Sequence, residues 1–141
     1  MNLQQMAKRC PRSVPVGTAV LENYELLFKG SPTRGFYLTV EPKGEAKTPV
    51  GVWEIDDGDL PALDRYEGYP ALYYKKELRL PVTFRATGET LDCDAFLYIM
   101  YEDKALGAPA RSYFKSCQDG YRSFGFDETP LLKALERSKN P

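Results

Sequence analysis

The sequence contains no histidine, and this absence excludes several classes of active site. Ser-His-Asp and Cys-His centres cannot be built without an imidazole. A zinc site with histidine ligands is excluded for the same reason. Proton transfer near neutral pH must therefore use a carboxylate, a tyrosine, a lysine, a cysteine or water.

Cysteine is scarce, with only Cys10, Cys93 and Cys117 in the chain. They are odd in number and far apart, and they form neither a Cys-x-x-Cys motif nor any paired metal spacing. Reduced thiols in a cytoplasmic protein are the simplest interpretation. The sequence also has neither of the common glycine-rich phosphate loops. We therefore expect no metal and no cofactor.

Long apolar runs and an excess of one charge are also missing. No run approaches the 18 residues of a membrane span, and the N-terminal segment lacks the apolar centre of a signal peptide. The formal net charge is −1, so no bulk field favours nucleic acid or an anionic membrane. We expect neither as a partner. The 141 residues fit one domain spanning 1–141.

Aromatic residues are abundant, with ten tyrosines and seven phenylalanines. Tyrosine suits strands and pocket walls that need a polar tip. The hydrophobic patterns predict five or six strands and three or four helices, interleaved irregularly. The expected architecture is α+β, with a mixed, strongly curved sheet or small barrel flanked by the helices.

Particular segments give local predictions. "VGTAVLENYELLFKG" reads as two strand pieces with a bend, while "RGFYLTVEPKG" and "PVGVWEI" read as two separate strands. The apolar run from Ala95 to Tyr101 predicts a central strand. Three aspartates in "DDGD" lack the further ligands of a calcium loop, so Asp59 is interpreted as a helix cap followed by Pro61 in the first turn.

The stretch "LDRYEGYP" ends that predicted helix and contains Glu67. A glutamate at a helix end is usually solvated and idle. Here tyrosines surround it in sequence, and Gly68 lets the backbone turn tightly. A carboxylate walled by tyrosines loses water, which raises its pKa toward the range useful for a base.

Longer stretches of the chain resemble the gamma-glutamyl cyclotransferase-like family. The segment "VGVWEIDDGDLPALDRYEGYPALYYKKELRL" is similar to that family's tryptophan strand, short helix, L-D-x-x-E-G-x-P motif and following tyrosine. "VGTAVLENYELLF" resembles its second segment. "PARSYFKSCQDGYRSFGFDETPLLKAL" resembles its C-terminal pattern. The resemblance covers nearly the whole chain.

The resemblance implies a compact mixed barrel with a pocket at one end and release of 5-oxoproline from gamma-glutamyl peptides or amines. Glu67 matches the family's general acid/base. Tyr73, with Tyr74 as a one-residue alternative, matches the tyrosine after the E-G motif. Tyr113 matches the tyrosine of the C-terminal segment. These three tyrosines are the expected substrate-binding residues.

The family's opening Y-G-S-N loop, whose amides hold the substrate, does not occur in this sequence. Met1 corresponds to the position just after it, so only Met1, Asn2 and Leu3 can be matched to the edge of the loop, and Asn2 and Leu3 are the expected substrate contacts there. Either the chain is shortened at its start or the protein lacks the first strand. Lack of that strand would leave unpaired sheet edges and favour a homodimer.

Two main functions follow. The first is a cofactor-free cyclotransferase acting on a small gamma-glutamyl compound, with Glu67 as proton shuttle. The second is a catalytically silent module that binds or sequesters the same compound in the same pocket. A third is an assembly protein whose aromatic surface contacts a partner.

Overall fold

The computed structural model describes residues 3–140, which form four helices and five strands. In chain order these are α1 (Leu3–Arg9), β1 (Val14–Ser31), β2 (Gly35–Glu54), α2 (Leu60–Glu67), β3 (Tyr73–Phe84), β4 (Thr90–Met100), β5 (Ala105–Leu106), α3 (Arg111–Phe124) and α4 (Thr129–Ser138).

Strands β1 and β2 form one long antiparallel hairpin. The prediction of separate strand pieces is wrong, because the pairing continues through the expected breaks. At the bend, Asn23 and Glu45 both have positive φ, and the Asn23 side-chain oxygen accepts the Glu45 N–H at 3.1 Å. The register shifts between Glu22 and Tyr24. A bulge of this kind bends a hairpin without ending it.

Proline does not end strand β2, although its sequence predicted a stop at Pro42. Pro42 lies opposite Tyr24, and Pro49 lies opposite Val20. Strand β2 is at the edge of the sheet order β2-β1-β3-β4. An edge strand tolerates a missing N–H on its unpaired side.

The second hairpin, β3 and β4, joins the first at one short contact. Gly17 and Thr18 of β1 pair with Phe84 and Thr83 of β3. A Cβ atom on Gly17 would lie 2.3 Å from the Thr83 carbonyl oxygen, so only glycine permits this approach. At its other end β1 pairs with the two-residue strand β5.

Strand β4 lies at a sheet edge, and the prediction that it is central is wrong. Within residues 3–140, no strand pairs with β4 on the side away from β3. Its apolar composition has another cause. Ile99 and Met100 are buried, and Leu97 and Ala95 pack against the core inside the curved sheet.

The sheet curls until β4 approaches β2. There the Thr39 hydroxyl accepts the Met100 N–H at 2.9 Å, but the described strands β2 and β4 share no ladder. The α+β class and curved five-stranded sheet are confirmed. The sheet is open rather than a closed barrel, and its pairings are antiparallel rather than mixed. Short turns within each hairpin impose that direction.

The helices cover two regions of the sheet. Helices α1 and α2 pack together through Met6, Cys10 and Leu63, against Trp53 of β2. Helices α3 and α4 cover the other end of β1, where Phe28 is fully buried. In residues 3–140, no helix combines the length and hydropathy needed to cross a membrane.

Candidate functional site

The end of helix α2 fixes the position of Glu67. Gly68 follows it in the left-handed conformation, with φ 68° and ψ 32°. The Gly68 N–H donates to the Arg65 carbonyl, and the Tyr69 N–H donates to the Asp64 carbonyl. These two bonds form a Schellman motif, which satisfies the last carbonyls of the helix. The chain then turns directly into β3, whose first residue is Tyr73.

Glu67 is half-buried, and no described residue donates a hydrogen bond to its carboxylate. Burial raises the pKa of Glu67 to about 7, although the nearby positive charge of Arg9 acts to lower it. The carboxyl group therefore titrates close to neutral pH, where it can both accept and return a proton. No ion pair joins Arg9 to Glu67 within the described residues.

Tyr73 is brought beside Glu67 and is only 6% exposed. Its pKa is raised by burial and, next, by the negative charge of Glu67. The Tyr73 hydroxyl donates to the Leu38 carbonyl of β2 at 2.8 Å. This bond holds the ring as a fixed wall of the site.

Tyr113, on helix α3, reaches the backbone of the same residue, Leu38. Its hydroxyl oxygen accepts the Leu38 N–H at 3.1 Å. Tyr113 therefore binds the N–H of Leu38 and Tyr73 binds its carbonyl. The Tyr37 ring packs edge-on against Tyr113, with 5.0 Å between centroids. Burial raises the pKa of Tyr113, and the neighbouring Cys117 raises it further. Tyr113 is therefore neutral and rigidly held.

Tyr74 is not brought to Glu67. Successive side chains of a strand point to opposite faces, and Tyr74 packs on the core side of β3. Its hydroxyl donates to the Glu102 carboxylate at 2.6 Å. Burial and this bond raise the pKa of Tyr74 to about 12. Of the two alternatives that the sequence left open, the structure places Tyr73 in the site.

A second carboxylate on helix α2, Asp64, has its pKa shifted in the opposite direction. It accepts a hydrogen bond from the Tyr98 hydroxyl and forms an ion pair with Lys75 at 2.9 Å. Burial acts to raise the pKa of Asp64, but these two partners lower it overall. Asp64 therefore stays ionised and ties α2 to β3 and β4. This leaves Glu67 as the carboxyl group that titrates near neutral pH.

Sequence reasoning missed Arg9 and Tyr98, which lie near Glu67, and Tyr37, which packs against Tyr113. The Arg9 guanidinium lies over the Tyr66 ring, 3.2 Å from its centroid. The charge of Glu67 helps raise the pKa of Tyr98, after burial and Asp64. The alternation of side chains along a strand could have identified Tyr98. It lies opposite Lys75 and therefore on the face of the sheet that carries Tyr73. Arg9 had no comparable signal, because only tertiary packing brings α1 to α2.

Cys117 forms part of the same neighbourhood, on the helix that carries Tyr113. Burial raises the pKa of Cys117 to about 11, although a hydrogen bond with Tyr113 acts to lower it. Tyr113, Cys117 and Tyr121 recur at every fourth position of α3, but their surroundings differ. Tyr121 is buried against Phe28 in the core, whereas Tyr113 and Cys117 extend from the core to the site.

The aspartates before helix α2 serve the fold. The Asp59 carboxylate accepts the Arg12 N–H at 2.9 Å and the Ser13 hydroxyl at 3.0 Å. Its side chain does not cap α2, contrary to the prediction. The carboxylate instead accepts hydrogen bonds from the segment that leads into β1. In residues 3–140, no three metal-ligating side chains come together.

Two open surface hollows lie away from Glu67. One, of about 400 Å³, is lined by Ala71, Tyr101, Glu102, Asp103 and Lys104. The other, of about 360 Å³, lies beside α4 and β5. Neither contains a residue expected in the site. The predicted Asn2 contact lies outside the described residues, and Leu3 begins helix α1.

Comparisons with known proteins agree with the fold. Three solved structures superpose on nearly the whole chain: a gamma-glutamyl cyclotransferase (TM-score 0.66, 22% identity, 96% of this chain and 79% of that one), the human protein loc79017 (0.67, 21%, 98% and 80%) and YkqA from Bacillus subtilis (0.67, 22%, 97% and 48%). No curated protein sequence matches the chain.

A family model matches most of the sequence directly. It describes gamma-glutamyl cyclotransferases of the AIG2-like type and covers residues 1–115. The matched part includes α2, Glu67, Tyr73 and Tyr113. The chain therefore belongs to the AIG2-like gamma-glutamyl cyclotransferase family.

Proposed function

We propose that the protein is a cyclotransferase that releases 5-oxoproline from a small gamma-glutamyl peptide or amine. One observation carries the proposal. Glu67 lies half-buried at the end of α2, among tyrosines, with no described hydrogen-bond donor and a pKa raised to about 7 by burial. A carboxylate in this state is a suitable acceptor for a proton from an ammonium group.

The reaction begins when Glu67 accepts a proton from the substrate's α-ammonium. The freed amine attacks the γ-carbonyl carbon of the same molecule, forming the new C–N bond of a five-membered ring. Because the attack is intramolecular, holding the glutamyl chain folded supplies much of the rate. The rigid rings of Tyr73 and Tyr113, both bonded to residue 38, are the proposed walls that hold it.

Collapse of the tetrahedral intermediate breaks the original amide bond. The α-ammonium loses two protons on becoming a lactam N–H, and the leaving amine gains two on becoming an ammonium. Glu67 relays these protons in turn, so it ends the cycle as it began. Hydrogen is therefore balanced without an external acid or base.

The test is 5-oxoproline release by wild type and by Glu67→Gln, with Glu77→Gln as the matched control. Glu77 is an exposed glutamate on β3. Loss of a general acid/base lowers turnover by about 10²–10⁴-fold. We expect that loss in Glu67→Gln and full turnover in Glu77→Gln.

The pH dependence adds a second readout. A base must be ionised in the free enzyme, so kcat/KM should fall as pH drops below about 7. Full turnover by Glu67→Gln would refute the proposed role. Tight calorimetric binding of gamma-glutamyl amines without release by wild type would refute the enzyme and favour the binding module.

A further inference from the structure

The buried surroundings of Arg9 contain an unused hydrogen-bond donor. Its Nη1 is buried and has no hydrogen-bond partner within residues 3–140. Its Nη2 donates to the Gln5 side-chain oxygen at 3.3 Å, and its guanidinium plane lies on Tyr66. A buried, unpaired N–H of a charged group is costly, so its persistence calls for an explanation.

Arg9 is held firmly rather than swinging in solvent. Gln5, its partner on α1, also donates to the Ser116 hydroxyl on α3 at 2.8 Å. Tyr66, beneath the guanidinium, is the residue directly before Glu67. Arg9 is therefore fixed where α1, α2 and α3 meet, beside the proposed proton acceptor.

Arg9 and Glu67 are close enough for the arginine charge to act on the carboxyl group, yet they form no ion pair among the described residues. A gamma-glutamyl compound carries an ammonium and a carboxylate on one carbon. Its ammonium needs a base as a neighbour, and its carboxylate needs a cation. A guanidinium suits the carboxylate, because its donors match two oxygens at once.

We propose that Arg9 binds the α-carboxylate of the substrate through the unpaired Nη1 edge of its guanidinium, while Glu67 receives the α-ammonium. This inference rests on the proposed function. It assigns the recognition of the amino-acid end of the substrate to helix α1. The amine beyond the γ-carbonyl plays no part in it.

A pair of substrates isolates this contact. One is a gamma-glutamyl amide, which closes to 5-oxoproline. The other is the matching 4-aminobutanoyl amide, which lacks only the α-carboxylate and closes to 2-pyrrolidinone. The variants are Arg9→Gln, Arg9→Lys and the control Arg65→Gln, which removes an exposed arginine on α2.

We expect Arg9→Gln to lower kcat/KM for the gamma-glutamyl amide by about 10- to 100-fold, mainly through KM, because a charge-assisted hydrogen bond is lost. Well above pH 7, where Glu67 is ionised with or without the Arg9 charge, the 4-aminobutanoyl amide should react equally in wild type and Arg9→Gln. Arg9→Lys should recover part of the loss, and Arg65→Gln should match wild type. Equal losses on both substrates, or no loss, would overturn the proposal.

Binding of the products separates this proposal from the catalytic one. In titration calorimetry, wild type should bind 5-oxoproline more tightly than 2-pyrrolidinone, and Arg9→Gln should lose that preference. This result is expected even if wild type releases no 5-oxoproline, an outcome that refutes only the catalytic proposal. A wild type that binds both products equally would refute the role of Arg9 without requiring any variant to fold.

Discussion

At the scale of residues, two carboxylates on one short helix show how environment divides their roles. Asp64 has Lys75 and Tyr98 as partners and stays ionised. Glu67, three residues later, has burial without a described donor and a raised pKa. Opposite pKa shifts of neighbouring carboxyl groups are typical of acid/base sites. The same burial that serves the proposed chemistry should cost stability.

That cost predicts a pH-dependent gain in stability for Glu67→Gln. The folded pKa of about 7 exceeds the ordinary value of 4.5, so the folded state binds the proton more tightly. Stability of wild type should therefore fall as pH rises between these values. The variant should be more stable by at most about 3 kcal/mol at pH 8.

Urea unfolding at pH 4 and pH 8 measures this difference directly. The advantage of Glu67→Gln should be present at pH 8 and nearly absent at pH 4. At pH 4 the Glu67 carboxyl group is protonated in the folded state and mostly protonated in the unfolded state. An advantage of the same size at both pH values would mean that ionisation of Glu67 carries no penalty. The exposed variant Glu77→Gln should show no such pH dependence.

Sequence alone could single out Glu67 as a candidate, because its motif is local. It could not choose between Tyr73 and Tyr74, since that choice depends on which face of β3 turns toward α2. Arg9 was beyond reach for another reason. Its proposed role depends on three helices meeting, and no pattern within α1 reports that contact.

At the scale of elements, the sheet depends on a single narrow junction between its hairpins. Only Gly17 and Thr18 of β1 pair with β3. A methyl group at position 17 would collide with the Thr83 backbone, which cannot move aside as a flexible side chain would. The junction fixes the C-terminal end of β3, whereas Tyr73, at the other end, is held by its hydrogen bond to the Leu38 carbonyl.

Gly17→Ala should consequently destabilise the protein by about 3 kcal/mol, at the upper end of ordinary overpacking. Gly44→Ala is the matched control, because a Cβ there meets no atom within 4 Å. Denaturant unfolding of both variants measures the effect. Equal stability of the two variants would show that the junction is not a close contact.

Element boundaries can be predicted only where a sequence breaker also ends strand pairing. They failed where the breakers only bend a strand. Asn23, Glu45 and Pro42 interrupt the alternation without interrupting the β1–β2 hairpin. Strand β4 was misplaced because an apolar run does not reveal whether burial comes from neighbouring strands or from covering faces.

At the scale of the whole molecule, strand β4 leaves one sheet edge without a partner in the described residues. At this edge the Met100 N–H donates to the Thr39 hydroxyl, and the Tyr101 N–H donates to the Leu72 carbonyl on the opposite side. By alternation, the backbone groups of Tyr98, Phe96 and Asp94 face the open edge. Unpaired edges of this length attract another strand.

We expect self-association through this edge. Asp94→Pro removes one outward N–H without breaking the β3–β4 ladder. Asp94→Ala is the matched control, because it loses the same Arg79 ion pair but keeps the N–H. Sedimentation should show a dimer for wild type and Asp94→Ala, and weaker association for Asp94→Pro.

A monomer at every concentration of wild type would contradict this expectation, as would identical association of the two variants.

Overall architecture was the most predictable level, because helix and strand content follows from hydrophobic periodicity. The open form of the sheet was not. It depends on how far the hairpins curl, which no local sequence pattern reports.

The central claim is that burial makes Glu67 a proton acceptor near neutral pH. A carbon NMR titration of its side-chain carboxyl group, assigned by the loss of that signal in Glu67→Gln, tests the claim without any substrate. We expect a midpoint near pH 7. A midpoint near the unperturbed glutamate value of about 4.3 would contradict it.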